Sequence, residues 1–141
     1  MDDEELFVLF RDNGYKVTTQ RLAISKFILA REDHPSAEKI YMGLKTDYPT
    51  LSLGTIYKTL HTLKELGLIQ ELGFEEGSIR YDPNTSPHLN VVCTSCYKIY
   101  DYKSKTIEDF WSLIVSELKF KSEGQRFDIY HECDECKKLK K

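Results

Sequence analysis

The first half of the chain shows apolar residues at three- and four-residue spacing in four successive segments, which predicts four amphipathic helices. The first covers residues 3–13. Thr18, Ser36 and Ser52 precede the other three, and a hydroxyl at such a position can accept a hydrogen bond from a backbone N–H of the first turn. The stretch over 68–82 (LIQELGFEEGSIRYD) then fits two short strands around a glycine-containing turn, which predicts a β-hairpin. Helices followed by a hairpin are the order of a winged helix-turn-helix.

The second half of the chain begins after a segment without periodicity. Residues 83–88 (PNTSPH) contain two prolines and predict a domain boundary. Beyond it, the pattern predicts strands near 89–93, 97–102 and 126–131. It also predicts a helix over 106–119, whose apolar face covers the small sheet. The closing residues KKLKK are expected to form a solvated tail.

Composition and charge narrow the class of protein. The chain is 40% hydrophobic and 30% charged, as in a globular protein, and its apolar runs are too short for a bilayer span. Its first residues (MDDEELF) are acidic, unlike a secretory signal, so we expect a cytoplasmic protein with no membrane partner. The net charge of −3 hides a positive segment, because residues 16–64 hold eight Lys and Arg residues against four acidic ones. A phosphate backbone responds to that local field of +4.

The fourth predicted helix has a polar side that suits nucleic acid. Opposite its apolar stripe it carries side chains able to reach bases or phosphates. We call this the recognition face: Thr55, Tyr57, Lys58, His61 and Thr62. Lys16 and Arg21 add positive charge ahead of it. The same residues also fit a plain polar helix surface, and Tyr57 fits a core-edge aromatic. Its place as the second helix of a helix-turn-helix favours DNA, and specific binding by so small a chain predicts a homodimer on a symmetric site.

All four cysteines lie in the last third of the chain, as the pairs Cys93/Cys96 and Cys133/Cys136. Two C-x2-C turns can complete the tetrahedron of a structural Zn(II), and the gap between them leaves room for a strand and a helix. The alternative is a thiol redox switch or enzyme built from two independent pairs. Such a pair requires a helix start after the first cysteine, whereas CTSCYKIYDY predicts a strand.

Together these patterns predict an α+β fold. We expect an N-terminal winged helix-turn-helix domain over 1–82, a hinge over 83–88, and a small α/β dimerisation domain with a structural zinc over 89–141. Three strands and one helix make a marginal unit, so the last domain should need the zinc, a partner subunit, or both. A zinc-stapled module whose winged helix binds protein is a rival in another class. No Ser, His and Asp residues are placed around a nucleophile, so we expect neither an enzyme nor a small-molecule substrate.

The stretch TSPHLNVVC holds further residues of metal-ligand type. Side chains alternate between the two faces of a strand, so His88 and Asn90 point one way and Cys93 the other. This predicts two metal sites rather than one. Three more candidate ligands lie where the domains meet: His34, Asp82 and Asp101. Imidazole with carboxylate suits Fe(II), Mn(II) or Zn(II) better than Cu(I), although by spacing alone a histidine such as His34 also fits a surface or helix-cap position.

The chain resembles the ferric uptake regulator (Fur) family of metal-dependent DNA-binding repressors over nearly its whole length. The matching stretches are GYKVTTQRLAI, HPSAEKIY, SLGTIYKTLHTLKELGLIQEL, HLNVVCTSC and CDEC. It is most similar to the peroxide-responsive branch, whose regulatory ligands His, Asp, His, His and Asp fall on His34, Asp82, His88, Asn90 and Asp101. Asp101 is typical of that branch, because iron-sensing members carry Glu there. Asn90 departs from the pattern: its neutral amide oxygen either binds weakly or leaves the metal with four protein ligands.

The resemblance implies a repressor of double-stranded operator DNA that carries a regulatory Fe(II) or Mn(II) beside the structural Zn(II). By the same resemblance, peroxide reacting at Fe(II) oxidises His34 or His88 and releases the metal. Another metal site of the family is expected to be absent, leaving two metals per chain. Its positions here hold Pro87, Leu89, Gln125 and Glu108, of which only the last is of ligand type. An iron-, zinc- or manganese-responsive repressor of the same family is the near alternative.

Overall fold

The structure is a computed structural model that describes residues 1–73 and 79–140. The chain forms two compact units, which meet in sequence between Thr85 and Ser86. This point falls within 83–88, and the role of that segment as a hinge stays a prediction. The longest described helices have 13 residues, short of the roughly 20 apolar residues that a bilayer span requires. None of the helices in the described ranges is therefore able to span a membrane.

The described residues of the first unit form four helices followed by an antiparallel strand pair. Its elements are α1 (Asp3–Asp12), α2 (Thr19–Leu29), α3 (Ala37–Leu44), α4 (Leu53–Glu65), β1 (Gln70–Gly73) and β2 (Ile79–Asp82). Side chains of Asp2, Thr18, Ser36 and Ser52 cap the four helices by accepting a backbone N–H of the first turn. Such a cap stabilises a helix by about 1 kcal/mol. The three predicted caps are confirmed, while the turn of the predicted hairpin lies outside the described residues.

The core of the first unit lies among its four helices. The fully buried side chains include Leu6, Phe10, Ile24, Ile28, Ile40, Ile56, Leu60 and Leu63. Burying one such side chain contributes about 1.5–3 kcal/mol, so packing holds these short helices in place. α4 packs against both α2 and α3. Gly67, with a φ of +74°, ends α4 in a left-handed conformation that glycine adopts without steric cost. The predicted order of helix-turn-helix followed by paired strands is confirmed.

The second unit is a three-stranded sheet with two helices. Its elements are β3 (Leu89–Cys93), β4 (Ile99–Tyr102), α5 (Lys105–Glu117), β5 (Phe127–His131) and α6 (Asp134–Leu139). The strand order is β4-β3-β5, with β3 antiparallel to β4 and parallel to β5. This register pairs Asn90 of β3 with Asp101 of β4 and Asp128 of β5. Paired residues of neighbouring strands share a face, so three polar side chains form a row across the sheet.

The closing residues are solvated as predicted, since residues 137–140 are all exposed, but residues 137–139 belong to α6 and do not form an irregular tail. The sequence does carry signals for this helix. Asp134 and Glu135 lie in its first turn and Lys137 and Lys138 in its last, an arrangement that complements the helix dipole. The helix is short and has no apolar stripe, so hydrophobic periodicity gives no sign of it.

The apolar face of α5 is covered less than predicted. Phe110 and Trp111 meet Phe127 of β5 edge-on, with ring centroids 6.2 and 5.8 Å apart. Yet none of the α5 residues, all of which the structure describes, is buried. Phe110 and Leu113 remain 47% and 65% exposed. The helix offers more apolar surface than three short strands cover, so much of that face stays open in the single chain.

Candidate metal centres

The four cysteines come together in the second unit, and we call them the cysteine cluster. Cys93 ends β3 and Cys96 follows in the turn, whereas Cys133 precedes α6 and Cys136 lies in its first turn. All four are free thiols whose Sγ atoms lie within 4.8 Å of one another. The Sγ–Sγ distances are 3.7 Å for Cys93–Cys136 and 3.8 Å for Cys96–Cys133. A tetrahedron with Zn–S bonds of about 2.3 Å has edges of about 3.8 Å, so the cluster fits a structural zinc ion.

Hydrogen bonds prepare the cysteine cluster for a cation. Backbone N–H groups of Cys133, Cys96 and Ser95 point at Cys93 Sγ, with N–S distances of 3.3, 3.5 and 3.4 Å. They lower the pKa of Cys93 to about 5. Hydrogen bonding to Cys133 and loss of hydration raise the pKa of Cys136 to about 12. These contacts favour the thiolate form of Cys93 and disfavour that of Cys136, and a metal that binds both would displace the remaining proton.

His34 and Asp82 form a buried pair in the first unit, which we call the His34 pair. His34 lies shortly before α3, and Asp82 ends β2. His34 Nε2 is 3.0 Å from Asp82 Oδ2, and both side chains are 1% exposed. The other carboxylate oxygen accepts the backbone N–H of Asn84 at 2.9 Å. An imidazole nitrogen and a carboxylate oxygen at this distance are donors that one divalent ion can share.

The loop that carries His34 is held against β2. His34 has a φ of +52°, a left-handed conformation that costs a residue other than glycine about 1 kcal/mol or more. Its carbonyl accepts a hydrogen bond from the Arg80 guanidinium, which also donates to the Asp33 carbonyl at 3.3 Å. The backbone N–H of Tyr81 donates to the Pro35 carbonyl at 3.0 Å. These bonds from β2 hold the strained backbone and so set the direction of the His34 imidazole.

His88, Asn90 and Asp101 converge in the second unit, and we call them the His88 set. His88 Nε2 lies 3.0 Å from Asn90 Oδ1 and 3.4 Å from Asp101 Oδ1. His88 Nδ1 lies 2.7 Å from the Ser86 carbonyl, which can only accept, so Nδ1 carries the ring proton. In the neutral ring, the Nε2 electron pair then faces two oxygen acceptors. Either a second ring proton or a metal cation must balance this arrangement, which has the donor chemistry of a divalent metal site.

Strand alternation and strand pairing explain which side chains surround Asn90 and Cys93 of β3. Asn90 meets His88, whereas Cys93 on the same strand joins the cysteine cluster, as alternation predicts. Asp128 was missed from the sequence. Its Oδ1 accepts a hydrogen bond from Asn90 Nδ2 at 3.1 Å. The two residues are 38 positions apart and become neighbours only through the parallel pairing of β3 with β5, which no local motif signals.

Most of the predicted recognition face lies at the surface of α4. Lys58 and His61 are exposed. Tyr57 is 45% exposed, and its hydroxyl donates to the Glu38 carboxylate at 2.9 Å, which raises the pKa of Tyr57. The Thr55 hydroxyl is 3.0 Å from Ser52 Oγ at the start of α4. These side chains are accessible, and their contact with DNA stays a prediction.

Thr62 does not share that surface, so its place in the recognition face is wrong. Its side chain is 5% exposed, and its hydroxyl donates to the Lys58 carbonyl at 3.0 Å. Because α4 packs against both α2 and α3, its buried side is wider than its apolar stripe and includes Thr59.

The two predicted DNA-binding residues ahead of α4 differ in whether other groups of the protein hold their side chains. Lys16 is exposed. Arg21 donates through Nη1 to the Lys16 carbonyl at 2.5 Å, and its guanidinium lies 5.8 Å from the centroid of the Phe10 ring. Arg21 therefore helps to hold the start of α2, which leaves Lys16 the more available of the two for a phosphate.

Comparisons with known proteins agree with this architecture. Residues 12–130 match the ferric uptake regulator family. The peroxide-responsive repressor PerR of Staphylococcus saprophyticus is 35% identical over 133 residues, which span 94% of this chain and 90% of that repressor. The solved structure of the Campylobacter jejuni peroxide stress regulator aligns with a TM-score of 0.74 at 29% identity, covering 96% of this chain and all of that one.

A more distant structure supports the fold alone. The ferric uptake regulator Fur of Helicobacter pylori, which has three functional metal binding sites, aligns with a TM-score of 0.78 at 23% identity over 95% of this chain and 90% of that one. Its resemblance agrees with the α+β fold predicted from the sequence. From the family match and the extent of the identity, this chain belongs to the ferric uptake regulator family.

Proposed function

We propose that this chain is a metal-dependent transcriptional repressor that senses peroxide through a regulatory Fe(II), with Mn(II) as the ion that binds without responding. It acts in the cytoplasm as a homodimer on double-stranded operator DNA and catalyses no reaction of its own. The observation that carries the proposal is the His88 set. There, an imidazole electron pair and two side-chain oxygens face one another beside a structural zinc cluster that leaves them unused.

The proposed ligands of the regulatory ion come from both units. They are the His34 pair and the His88 set, that is His34, Asp82, His88, Asn90 and Asp101. Two nitrogens and three oxygens suit Fe(II) or Mn(II), which favour imidazole and carboxylate ligands over thiolates. The chain supports such sharing, because Asp82 and His88 are only six residues apart and their Cα atoms are at most about 20 Å apart.

The proposed mechanism uses the ion to select one arrangement of the two units. An ion that binds well only when both sets of ligands meet stabilises that arrangement over the others. In a homodimer this fixes the separation of the two α4 helices, which must match half-sites about 34–36 Å apart or a multiple of that distance. Loss of the ion frees the units and weakens operator binding.

The homodimer is proposed to form through the second unit. The exposed side chains of α5 include Phe110, Leu113 and Val115, and those of β5 include Ile129 and Tyr130. A large apolar surface of this kind is costly in water and marks an interaction site. Pairing two copies places two recognition faces on one DNA molecule, which gives the specificity that a single short helix lacks.

Bound Fe(II) would activate peroxide beside its imidazole ligands. The imidazole of either His34 or His88 is the proposed target: one oxygen atom of one peroxide molecule is inserted into a ring C–H bond, and the other oxygen leaves as water. An oxidised ring is a poorer donor, so the ligand set loses the ion. Mass spectrometry of the Fe(II)-loaded protein after peroxide should show one added oxygen on the peptide of His34 or His88, and no addition with Mn(II). Unchanged peptides in both samples, with DNA binding insensitive to peroxide, would overturn peroxide sensing.

A manganese-responsive repressor is the second candidate, and Asn90 favours it. A neutral amide oxygen in place of the family's imidazole weakens Fe(II) binding more than it weakens Mn(II) binding, since Mn(II) takes oxygen ligands readily. Operator affinity measured at controlled free Fe(II) and Mn(II), with and without peroxide, separates the peroxide sensor from the manganese-responsive repressor.

The alternative of a redox switch at the four cysteines requires reactive thiols. One firmly bound zinc per chain, with thiols inert to alkylation, would remove that alternative.

A further inference from the structure

Asp128 connects the His88 set to the neighbouring strand. It lies on β5 directly opposite Asn90, and Asp101 lies opposite Asn90 on the other side. The side chains of this row are not equivalent. Asp101 Oδ1 lies 3.4 Å from His88 Nε2, whereas Asp128 Oδ1 accepts a hydrogen bond from the amide nitrogen of Asn90 at 3.1 Å.

The carboxylate of Asp128 is saturated by hydrogen-bond donors. Its Oδ1 accepts from Asn90 Nδ2 and Arg126 Nε, both at 3.1 Å. Its Oδ2 accepts from the Tyr130 hydroxyl at 3.1 Å and from Arg126 Nη2 at 2.8 Å. A carboxylate offers about four lone-pair positions, so four donors occupy them. Asp128 therefore supports a neighbour and does not itself serve as a metal ligand.

This contact decides which way round the Asn90 amide lies. A carboxylate only accepts, so the NH2 end of the amide must face Asp128. The carbonyl end is thereby turned to His88, where Oδ1 lies 3.0 Å from Nε2. The Ser86 carbonyl fixes the His88 ring proton on the far nitrogen in the same manner. The Asp128 carboxylate and the Ser86 carbonyl can only accept hydrogen bonds. They therefore orient Asn90 Oδ1 and the electron pair of His88 Nε2 toward each other.

We propose that Asp128 is a positioning residue that locks Asn90 with its oxygen toward the regulatory metal. The lock makes Asn90 an oxygen ligand at a position where an amide free to rotate would present its NH2 group for part of the time. This inference rests on the proposed function, because it requires a metal at the His88 set. It also explains how a neutral amide serves where the family pattern places an imidazole.

The test is a double-mutant cycle in the full-length, zinc-loaded protein, with Mn(II) affinity as the readout. Asp128→Asn replaces one accepting oxygen by a donor, so Asn90 loses its fixed orientation. We expect Mn(II) binding about 10-fold weaker, the lower end of the cost of losing an outer-shell partner of a metal ligand. Asn90→Ala should weaken it at least as much. Adding Asp128→Asn to Asn90→Ala should then change nothing further, because Asp128 acts through Asn90.

Control variants separate a specific loss of Mn(II) affinity from misfolding and from the general effect of removing a negative charge. Glu123→Gln removes an exposed carboxylate of the same unit and should leave Mn(II) affinity unchanged. Zinc content and circular dichroism show whether each variant folds. If Asp128→Asn does not fold, Asp128→Ser takes its place. Arg126, whose side chain is 30% exposed, can then turn to water once its carboxylate partner is removed. Wild-type affinity in the Asp128 variant, or a further loss in the double variant, would overturn the lock while leaving the proposed function standing. Absence of His88-dependent Mn(II) binding in the wild type would overturn both.

Discussion

The cysteine cluster and the His88 set both use residues of β3, yet they offer a metal ion opposite conditions. Cys93 ends the strand and joins three other thiols at tetrahedral distances, with one thiolate already favoured by backbone N–H groups. Asn90, three residues earlier, contacts the His88 imidazole, which also lies near the Asp101 carboxylate. Four soft donors that close the coordination sphere suit a zinc ion that never leaves. Mixed nitrogen and oxygen donors, completed only by the other unit under our proposal, suit an ion that exchanges.

Strand alternation thus allows one short sheet to hold a structural metal site and, under our proposal, a regulatory one. Neighbouring positions of β3 point to opposite faces, so the two sets of donors do not compete for one ion. Substitutions in one set should therefore affect stability, and substitutions in the other should affect metal-dependent DNA binding.

Cys133→Ser should cost the second unit its fold. A structural zinc contributes on the order of 10 kcal/mol to a small domain, and the unit has few buried side chains to compensate. We expect loss of bound zinc and of the cooperative unfolding transition of this unit, measured by elemental analysis and circular dichroism. A protein that loses its zinc yet keeps its melting temperature within a few degrees would break the structural role of the cysteine cluster.

His88→Ala should leave the zinc in place and remove the regulatory response. A direct ligand is lost, so Mn(II) affinity should fall by more than the 10–100-fold that an outer-shell change costs. Isothermal titration with Mn(II) and fluorescence anisotropy on a DNA fragment selected by the Mn(II)-loaded protein measure the two effects. His131→Ala, an exposed histidine of the same unit, is the matched control and should behave as wild type. Equal effects of the two variants would contradict the assignment.

Asn90→His should strengthen metal binding by adding an imidazole to the His88 set. An imidazole is the stronger donor, and Asp128 can accept its second ring N–H. We expect Zn(II) affinity at this site to rise by about 10-fold, near 1.4 kcal/mol, and by more than Mn(II) affinity. Competition with a metal-sensing dye measures both constants. No rise for either ion would show that position 90 does not contribute a ligand, and a rise confined to Mn(II) would contradict the expected preference for Zn(II).

Lys58→Ala should weaken DNA binding without touching either metal. Lys58 is exposed on the recognition face, so its loss removes about one phosphate or base contact, of about 1 kcal/mol, and lowers the salt dependence of binding by about one ion. Anisotropy titrations at several salt concentrations report the change. Thr62→Val serves as the comparison, since the buried Thr62 should alter stability rather than DNA affinity. The opposite pattern would place DNA on another surface.

The helical half of the fold follows from local signals in the sequence. Hydroxyl caps at Thr18, Ser36 and Ser52 begin their helices where predicted, because capping depends on residues within one turn. Hydrophobic periodicity does not predict α6, because this helix has charges that complement its dipole but no apolar stripe. Thr62 was misplaced because periodicity alone does not reveal that α4 has a neighbour on each side.

The sites follow from the sequence to the extent that their chemistry is local. The C-x2-C pairs are recognisable from the sequence alone, because two thiols three residues apart share one turn and can bind one metal ion. Asp128 does not, because its meeting with Asn90 depends on parallel pairing of strands far apart in the chain. Likewise, the His88 tautomer depends on the position of the Ser86 carbonyl, which the sequence does not reveal. Strand register and hydrogen-bond partners therefore had to come from the structure.

One chelation experiment tests the separation of the two centres most directly. Protein loaded with zinc and Mn(II) is treated with EDTA, and its metal content and affinity for the selected DNA fragment are measured before, after, and on return of Mn(II). Our account predicts that one zinc per chain stays, that Mn(II) leaves, and that DNA affinity falls and then recovers with Mn(II). DNA affinity that survives the loss of Mn(II), or zinc and Mn(II) that depart together, would contradict it.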